Sequence, residues 1–164
     1  RICWSAVEAF GPTVPVSAAK PASFRLTSST ISLSHADSGV RKMAVYALGV
    51  LPDDGAHTTL RAALDDPVAD VQWNAAVALA RHGDARGIRV LRRMIDRAHV
   101  TGLVTASETL NDPVSDVMIS GLRAVAALAD AGTAEDLHPS VVALAESDQS
   151  LKVRQAALEV LEVL

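Results

Sequence analysis

Aromatic side chains are scarce in this chain: two Trp, two Phe and one Tyr make up 3% of its 164 residues. Hydrophobic residues nevertheless reach 49%, so a core has to be filled by Ala, Val and Leu. That filling suits close-packed helices better than a sandwich built on aromatic and β-branched pairs. Cysteine is nearly absent. Cys3 alone excludes an intrachain disulfide and a cysteine-rich zinc site, and leaves the redox compartment open. No stretch approaches the ~18 uninterrupted apolar residues of a membrane-spanning helix. An excess of positive charge is missing too: 15 basic residues stand against 19 acidic ones, for a net charge of −4 and a pI near 5.7. This argues against a general nucleic-acid binder, whose phosphate contacts need a basic surface, while leaving room for a local basic patch. The sequence opens on Arg1 with no basic–apolar–cleavage pattern behind it, so a fragment or processed form is expected. Any targeting signal would then lie upstream, and cytoplasm is only the default location.

What the chain has in abundance is repetition. Asp66-Pro67-Val68-Ala69-Asp70-Val71 recurs as Asp112-Pro113-Val114-Ser115-Asp116-Val117. Asp at the cap, Pro at the first helical position and another acid in the first turn form a helix-start signal. Val40-Arg41 leads into Ala44, Ala47 and Leu48, and Val71 leads into Ala75, Ala78 and Leu79, the same spacing displaced by 31 residues. The displacement also carries Leu60, Arg61, Leu64 and Asp65 onto Leu91, Arg92, Ile95 and Asp96. Two helices therefore repeat together, and the unit is a helical hairpin. A third unit starts at Val117. A fourth start, Leu151-Lys152-Val153-Arg154, supplies a first helix without its second. The spacing predicts helices over 38–51, 54–65, 67–82, 84–98, 113–130, 133–146 and 150–163, with an inserted loop or short irregular helix at 99–112.

Residues 1–36 differ in composition, with Pro12, Pro15 and Pro21 early and a serine cluster later. They read as an irregular leader or linker, or the end of a preceding element, and residues 37–164 as the repeat domain.

The pattern Asp-x-x-Val-Arg-x-x-Ala-x-x-Ala-Leu, then Gly, then a second helix ending in Leu-x-Asp, resembles the HEAT repeat over residues 36–164. More narrowly it is similar to the short bacterial variant also found in phycobilisome lyases. The resemblance implies an all-α fold, a right-handed α-α superhelix (a HEAT/armadillo-like solenoid) of about three and a half hairpins, with second helices on the concave side.

Arg86, Arg89, Arg93 and Arg97 follow one another at offsets of three, four and four, which sets them on one face of the expected 84–98 helix. Arg61 and Arg92 hold equivalent positions in neighbouring repeats and extend the patch. Guanidinium forks suit carboxylates and phosphates, so these six are the candidate partner-binding residues. The rival reading is a solvated helix face paired locally with Asp84 and Asp96. No catalytic, cofactor-binding or metal-ligating residue is assigned. None of His35, His57, His82, His99 and His138 is followed by Glu, no Gly-x-Ser-x-Gly elbow occurs, and Gly-rich phosphate loops are missing. Asp65, Asp66, Asp70, Asp112 and Asp116 read as helix caps, and Trp73 as packing against an adjacent first helix. The expected function is non-enzymatic: a scaffold or interaction module taking a protein or peptide, with an acidic segment, into its concave groove. Two alternatives stand beside it. One is a lyase-type or other enzyme subunit binding a pigment or small ligand, as the resemblance implies. The other is a DNA-binding HEAT-like protein.

Overall fold

The computed structural model describes residues 33–50, 54–104, 112–129 and 132–164. Most of the expected leader and residues 105–111 of the insertion lie outside them. The described residues form eight α-helices and no strand: α1 (Ser38–Val50), α2 (Asp54–Ala63), α3 (Ala69–Arg81), α4 (Ile88–Met94), α5 (Arg97–Leu103), α6 (Pro113–Ala129), α7 (His138–Ser147) and α8 (Leu151–Leu161). Short 3₁₀ turns at Ala85–Gly87 and Glu135–Leu137 lead into α4 and α7.

Local chemistry sets these boundaries. Asp37 Oδ1 accepts the amide of Gly39 at 2.6 Å where α1 begins. Asp112 Oδ1 accepts that of Ser115 at 3.1 Å in the first turn of α6, satisfying donors that a helix start leaves free. At the end of α3, Gly83 takes φ +70°. This lets the Asp84 amide reach the Leu79 carbonyl (2.9 Å) and the Gly83 amide the Ala80 carbonyl (3.0 Å), the paired bonds of a Schellman stop.

The first helices of successive hairpins, α1, α3, α6 and α8, stack side by side, each in contact with the next, while α2, α4 and α7 pack alongside them. α3 is a wall shared by two cores. Val71, Ala75, Ala78 and Leu79 join Val45, Leu48, Ala56, Leu60 and Ala63 on one side. Trp73, Ala76 and Ala80 join residues of α4, α6, α7 and α8 on the other. Trp73 therefore lies in the core, 7% exposed. Small side chains make the approach close: a Cβ on Gly49 would stand 2.6 Å from that of Ala78, and one on Gly121 2.9 Å from that of Met94.

The all-helical stacked-hairpin fold agrees with the sequence reading, and two details correct it. The expected 84–98 helix is broken. α4 stops at Met94, and Asp96 caps a new helix by accepting the His99 amide at 3.2 Å. Pro67 is not the first helical residue either. Val68 is the N-cap of α3, and Asp66 Oδ1 takes the Val68 amide at 2.9 Å in a tight turn ahead of the helix.

Close approach at Gly49 gives a direct test. Gly49→Val should lower the unfolding free energy by about 1–3 kcal/mol, because its Cβ alone already collides with Ala78 of α3. Gly102→Ala, where a Cβ meets nothing within 4 Å, should leave stability unchanged or raise it by up to about 1 kcal/mol. Urea denaturation followed by far-UV circular dichroism measures both.

Candidate partner-binding surface

Arginine–aspartate clasps tie successive parts of the stack together. Arg41 on α1 donates from Nε to Asp66 Oδ2 at 2.7 Å and from Nη2 to Asp66 Oδ1 at 3.0 Å. Its Nη1 bonds the carbonyls of His35 (2.8 Å) and Ala36 (3.0 Å), which fixes the chain entering α1. Arg61 on α2 donates from Nε (3.0 Å) and Nη2 (2.7 Å) to Asp84 Oδ2, ahead of α4. Arg97 at the start of α5 holds Asp148 with two bonds of 2.7 Å. The same Nη2 reaches Ser115 Oγ at 3.2 Å, and the Ser115 hydroxyl donates to Asp112. This last network spans 51 residues of sequence and leaves the Asp148 side chain 2% exposed.

The aspartates do two tasks each. Besides its arginine, Asp66 accepts the Val68 amide, Asp84 that of Arg86 (3.1 Å) and Asp148 that of Ser150 (2.8 Å). Their acidities follow. The Arg41 fork holds the Asp66 carboxyl below the usual 3.8. For Asp84 and Asp148 burial pushes upward, yet the bonds from Arg61 and Arg97 and the capped amides leave both below that value. The bonds from Ser115 do the same for Asp112.

The six arginines expected to form one basic ridge therefore separate. Arg97 is withdrawn from it: it stands on α5, beyond the break at Asp96, clasped to Asp148. Arg61 is half-buried and occupied by Asp84. Arg86 is exposed on the 3₁₀ turn, its Nε 3.9 Å from Asp84 Oδ1. Arg89, Arg92 and Arg93 are exposed on α4 and form no ion pair with any described residue. The offsets of three and four hold these three within about 100° of helix surface, opposite the buried Val90, Leu91 and Met94. The clasping aspartates Asp84 and Asp148 were not singled out as partners of distant arginines. For Asp148 the available signal was its register, since it precedes Val153 by five residues as Asp66 precedes Val71 and Asp112 precedes Val117.

His57 and His82 stack obliquely, ring centroids 5.1 Å apart. A nitrogen of His82 lies 3.2 Å from the Gly49 carbonyl, and His57 Nδ1 lies 3.9 Å from Asp84 Oδ2. Among the described residues no three His, Cys, Asp or Glu side chains converge as a metal site, and no helix is long and apolar enough to cross a membrane.

Hairpins stacked through their first helices and clasped at their starts define an α-solenoid. A family model for HEAT repeats matches residues 29–111, and the chain belongs to the HEAT-repeat family. The match is to HEAT repeats at large and does not single out the phycobilisome-lyase-like variant. HEAT repeats generally mediate protein–protein interaction or scaffolding and are generally non-enzymatic. Among curated proteins, none matches the chain.

Clasp chemistry fixes a pH response. Unfolded aspartates titrate near 3.8, and the four folded ones lie below it. The clasps therefore contribute fully above that value, and their contribution is lost as pH falls through the folded pKa values, where the unfolded chain binds more protons. Asp148→Asn should cost about 2–3 kcal/mol at pH 7, because Arg97 keeps its charge without a counterion. The gap from the parent should narrow below pH 3.8. Urea titrations at neutral and acid pH check both statements.

Proposed function

We propose that this chain is a non-enzymatic interaction module that binds an acidic segment of a protein partner through Arg86, Arg89, Arg92 and Arg93. One observation carries the reading. Arg41, Arg61 and Arg97 are each engaged by an aspartate distant in the sequence. Arg89, Arg92 and Arg93 stand together on the outer face of α4 with no carboxylate in ion-pair range among the described residues. Packing of Val90, Leu91 and Met94 beneath them fixes the helix, so the three guanidinium groups are presented from a rigid support. Placed this way they suit carboxylates two or more at a time. Arg61 and Arg97 belong to the stack rather than to the binding face.

A synthetic glutamate-rich peptide, followed by fluorescence anisotropy, tests the proposal. The parent should bind it with an affinity that falls as salt rises. Replacing Arg86, Arg89, Arg92 and Arg93 by Glu should weaken binding by about tenfold or more, with the far-UV spectrum unchanged. Equal binding by parent and variant would remove these residues from the site. Tight, steeply salt-dependent binding of duplex DNA instead would favour the nucleic-acid reading.

A further inference from the structure

One titratable cluster stands apart from the apolar cores. His57 on α2 and His82 at the end of α3 stack with ring centroids 5.1 Å apart, and both are half-buried. In repeat register the next hairpin has Ile88 where His57 stands, and Ala131 precedes the Gly132 stop of α6 as His82 precedes Gly83. Aliphatic residues occupy these registers elsewhere in the sequence, so packing alone does not call for imidazoles here.

Polar and charged groups meet the pair from α1, α2, α3 and the turn ahead of α4. A carbonyl only accepts, so the His82 Nε2 that lies 3.2 Å from the Gly49 carbonyl carries a hydrogen, and Nδ1 is left to take up a second proton. His57 Nδ1 stands 3.9 Å from Asp84 Oδ2, too far for a hydrogen bond and close enough for an ion pair once the ring is charged. Asp84 Oδ2 is the oxygen that Arg61, one turn after His57 on α2, already holds at 3.0 and 2.7 Å. Asp84 Oδ1 accepts the Arg86 amide at 3.1 Å and lies 3.9 Å from Arg86 Nε. Arg81, next to His82 on α3, is exposed, and the side chains of Asp53 and Asp54, ahead of His57, lie outside the described residues. Asp84 thus joins the histidine pair to Arg86, the first cation of the α4 face.

We propose that His57 and His82 form a proton-operated switch on Asp84 that tightens the hold of Arg86, Arg89, Arg92 and Arg93 on an acidic segment as pH falls. This regulation rests on the reading of those four arginines as the binding face. Histidine is the side chain whose charge ordinarily changes between about pH 5 and 8. With both rings neutral, Asp84 has one cation on Oδ2 and draws on Arg86 through Oδ1. A proton on either ring adds positive charge beside the carboxylate, and on His57 it puts a second cation against Oδ2. The pull of Asp84 on the Arg86 guanidinium weakens, Arg86 is freed for the ligand, and incoming carboxylates meet a more positive surface at that end of α4. Two protons would set like charges on rings 5.1 Å apart, so the pair acts chiefly through its first.

The test uses the whole 164-residue chain and the glutamate-rich peptide as probe. Anisotropy is read at constant ionic strength from about pH 7.5 to 5.5, where the peptide's carboxylates stay largely ionised. The parent should bind about two- to threefold more tightly at the acid end. His57→Gln should match the parent at the neutral end and lose most of that gain. His82→Gln, which keeps an N–H for the Gly49 carbonyl, should lose part of it. His35, His99 and His138 are present in every variant, so the difference isolates the pair. A second readout needs no peptide: the Arg86 backbone amide, which bonds Asp84 Oδ1, should shift over this pH range in a nitrogen–proton correlation spectrum of the parent and not of His57→Gln. Should His57→Gln unfold, His57→Ile takes its place, since isoleucine is native at this register in Ile88. Binding that is constant with pH, binding that changes equally in parent and variant, or an Arg86 amide that does not respond overturns the switch and leaves the binding face standing. No binding at any pH overturns the face, and the switch with it.

Discussion

No hairpin of this chain can bury all its apolar surface by itself, and the rest of the structure follows from that constraint. α3 states it most clearly. Four of its buried residues belong to the core it shares with α1 and α2, and three to the core it shares with α4 and the helices after it. A helix with two apolar sides needs a neighbour on each, and the neighbour has to come close because the side chains between them are Ala and Gly. Gly49 and Ala78 are in contact at a separation that leaves no room for a Cβ on residue 49. Scarcity of aromatics is thus a packing condition: thin interfaces between first helices keep the stack continuous.

Such interfaces are smooth, and smooth apolar faces can slide. The charged clasps supply what the alanines lack. A buried ion pair adds little net stability over an apolar replacement, while half of one is strongly unfavourable. Arg41 with Asp66 and Arg97 with Asp148, the two well-buried pairs, therefore act chiefly by making other registers costly. Each clasping aspartate also accepts a backbone amide two residues on, in the turn that leads into the following helix, so local geometry and long-range pairing are set by the same carboxylate. In the third case Ser115 and Asp112 join, and α5, α6 and the start of α8 are fixed together.

Much of this was legible in the sequence because it is periodic. The duplicated Asp-Pro-Val-x-Asp-Val start and the alanine spacing locate α1, α3, α6 and α8 closely, and the Gly83 and Gly132 stops separate helices as their positions suggest. The break at Asp96 was not. Helical periodicity runs on through Arg97, and an aspartate inside a periodic stretch reads equally as a solvated residue or as a new cap. In the structure Asp96 is a cap, accepting the His99 amide, and Arg97 beyond it pairs with Asp148, far along the chain. The pairings are hidden in the sequence for the same reason. An arginine on a helix face looks the same in sequence whether it meets solvent or an aspartate of the next repeat.

That distinction between clasped and unclasped arginines governs the electrostatics of the surface. Each clasp neutralises one acid and one base in place, so Arg41, Arg61 and Arg97 contribute little field beyond their own neighbourhood. The net charge of −4 is carried by side chains distributed over the whole chain, and screening at physiological salt limits their reach to about 8 Å. An incoming segment near α4 is thus governed by the charges within that distance. Arg89, Arg92 and Arg93 share one exposed turn-and-a-half there, with Arg86 just ahead of them. An acidic chain can in this way present a strongly basic local surface. Because the helix beneath is held by buried Val90, Leu91 and Met94, the backbone positions of these cations are set in advance, and under the proposed function less ordering cost would be left for the moment of binding.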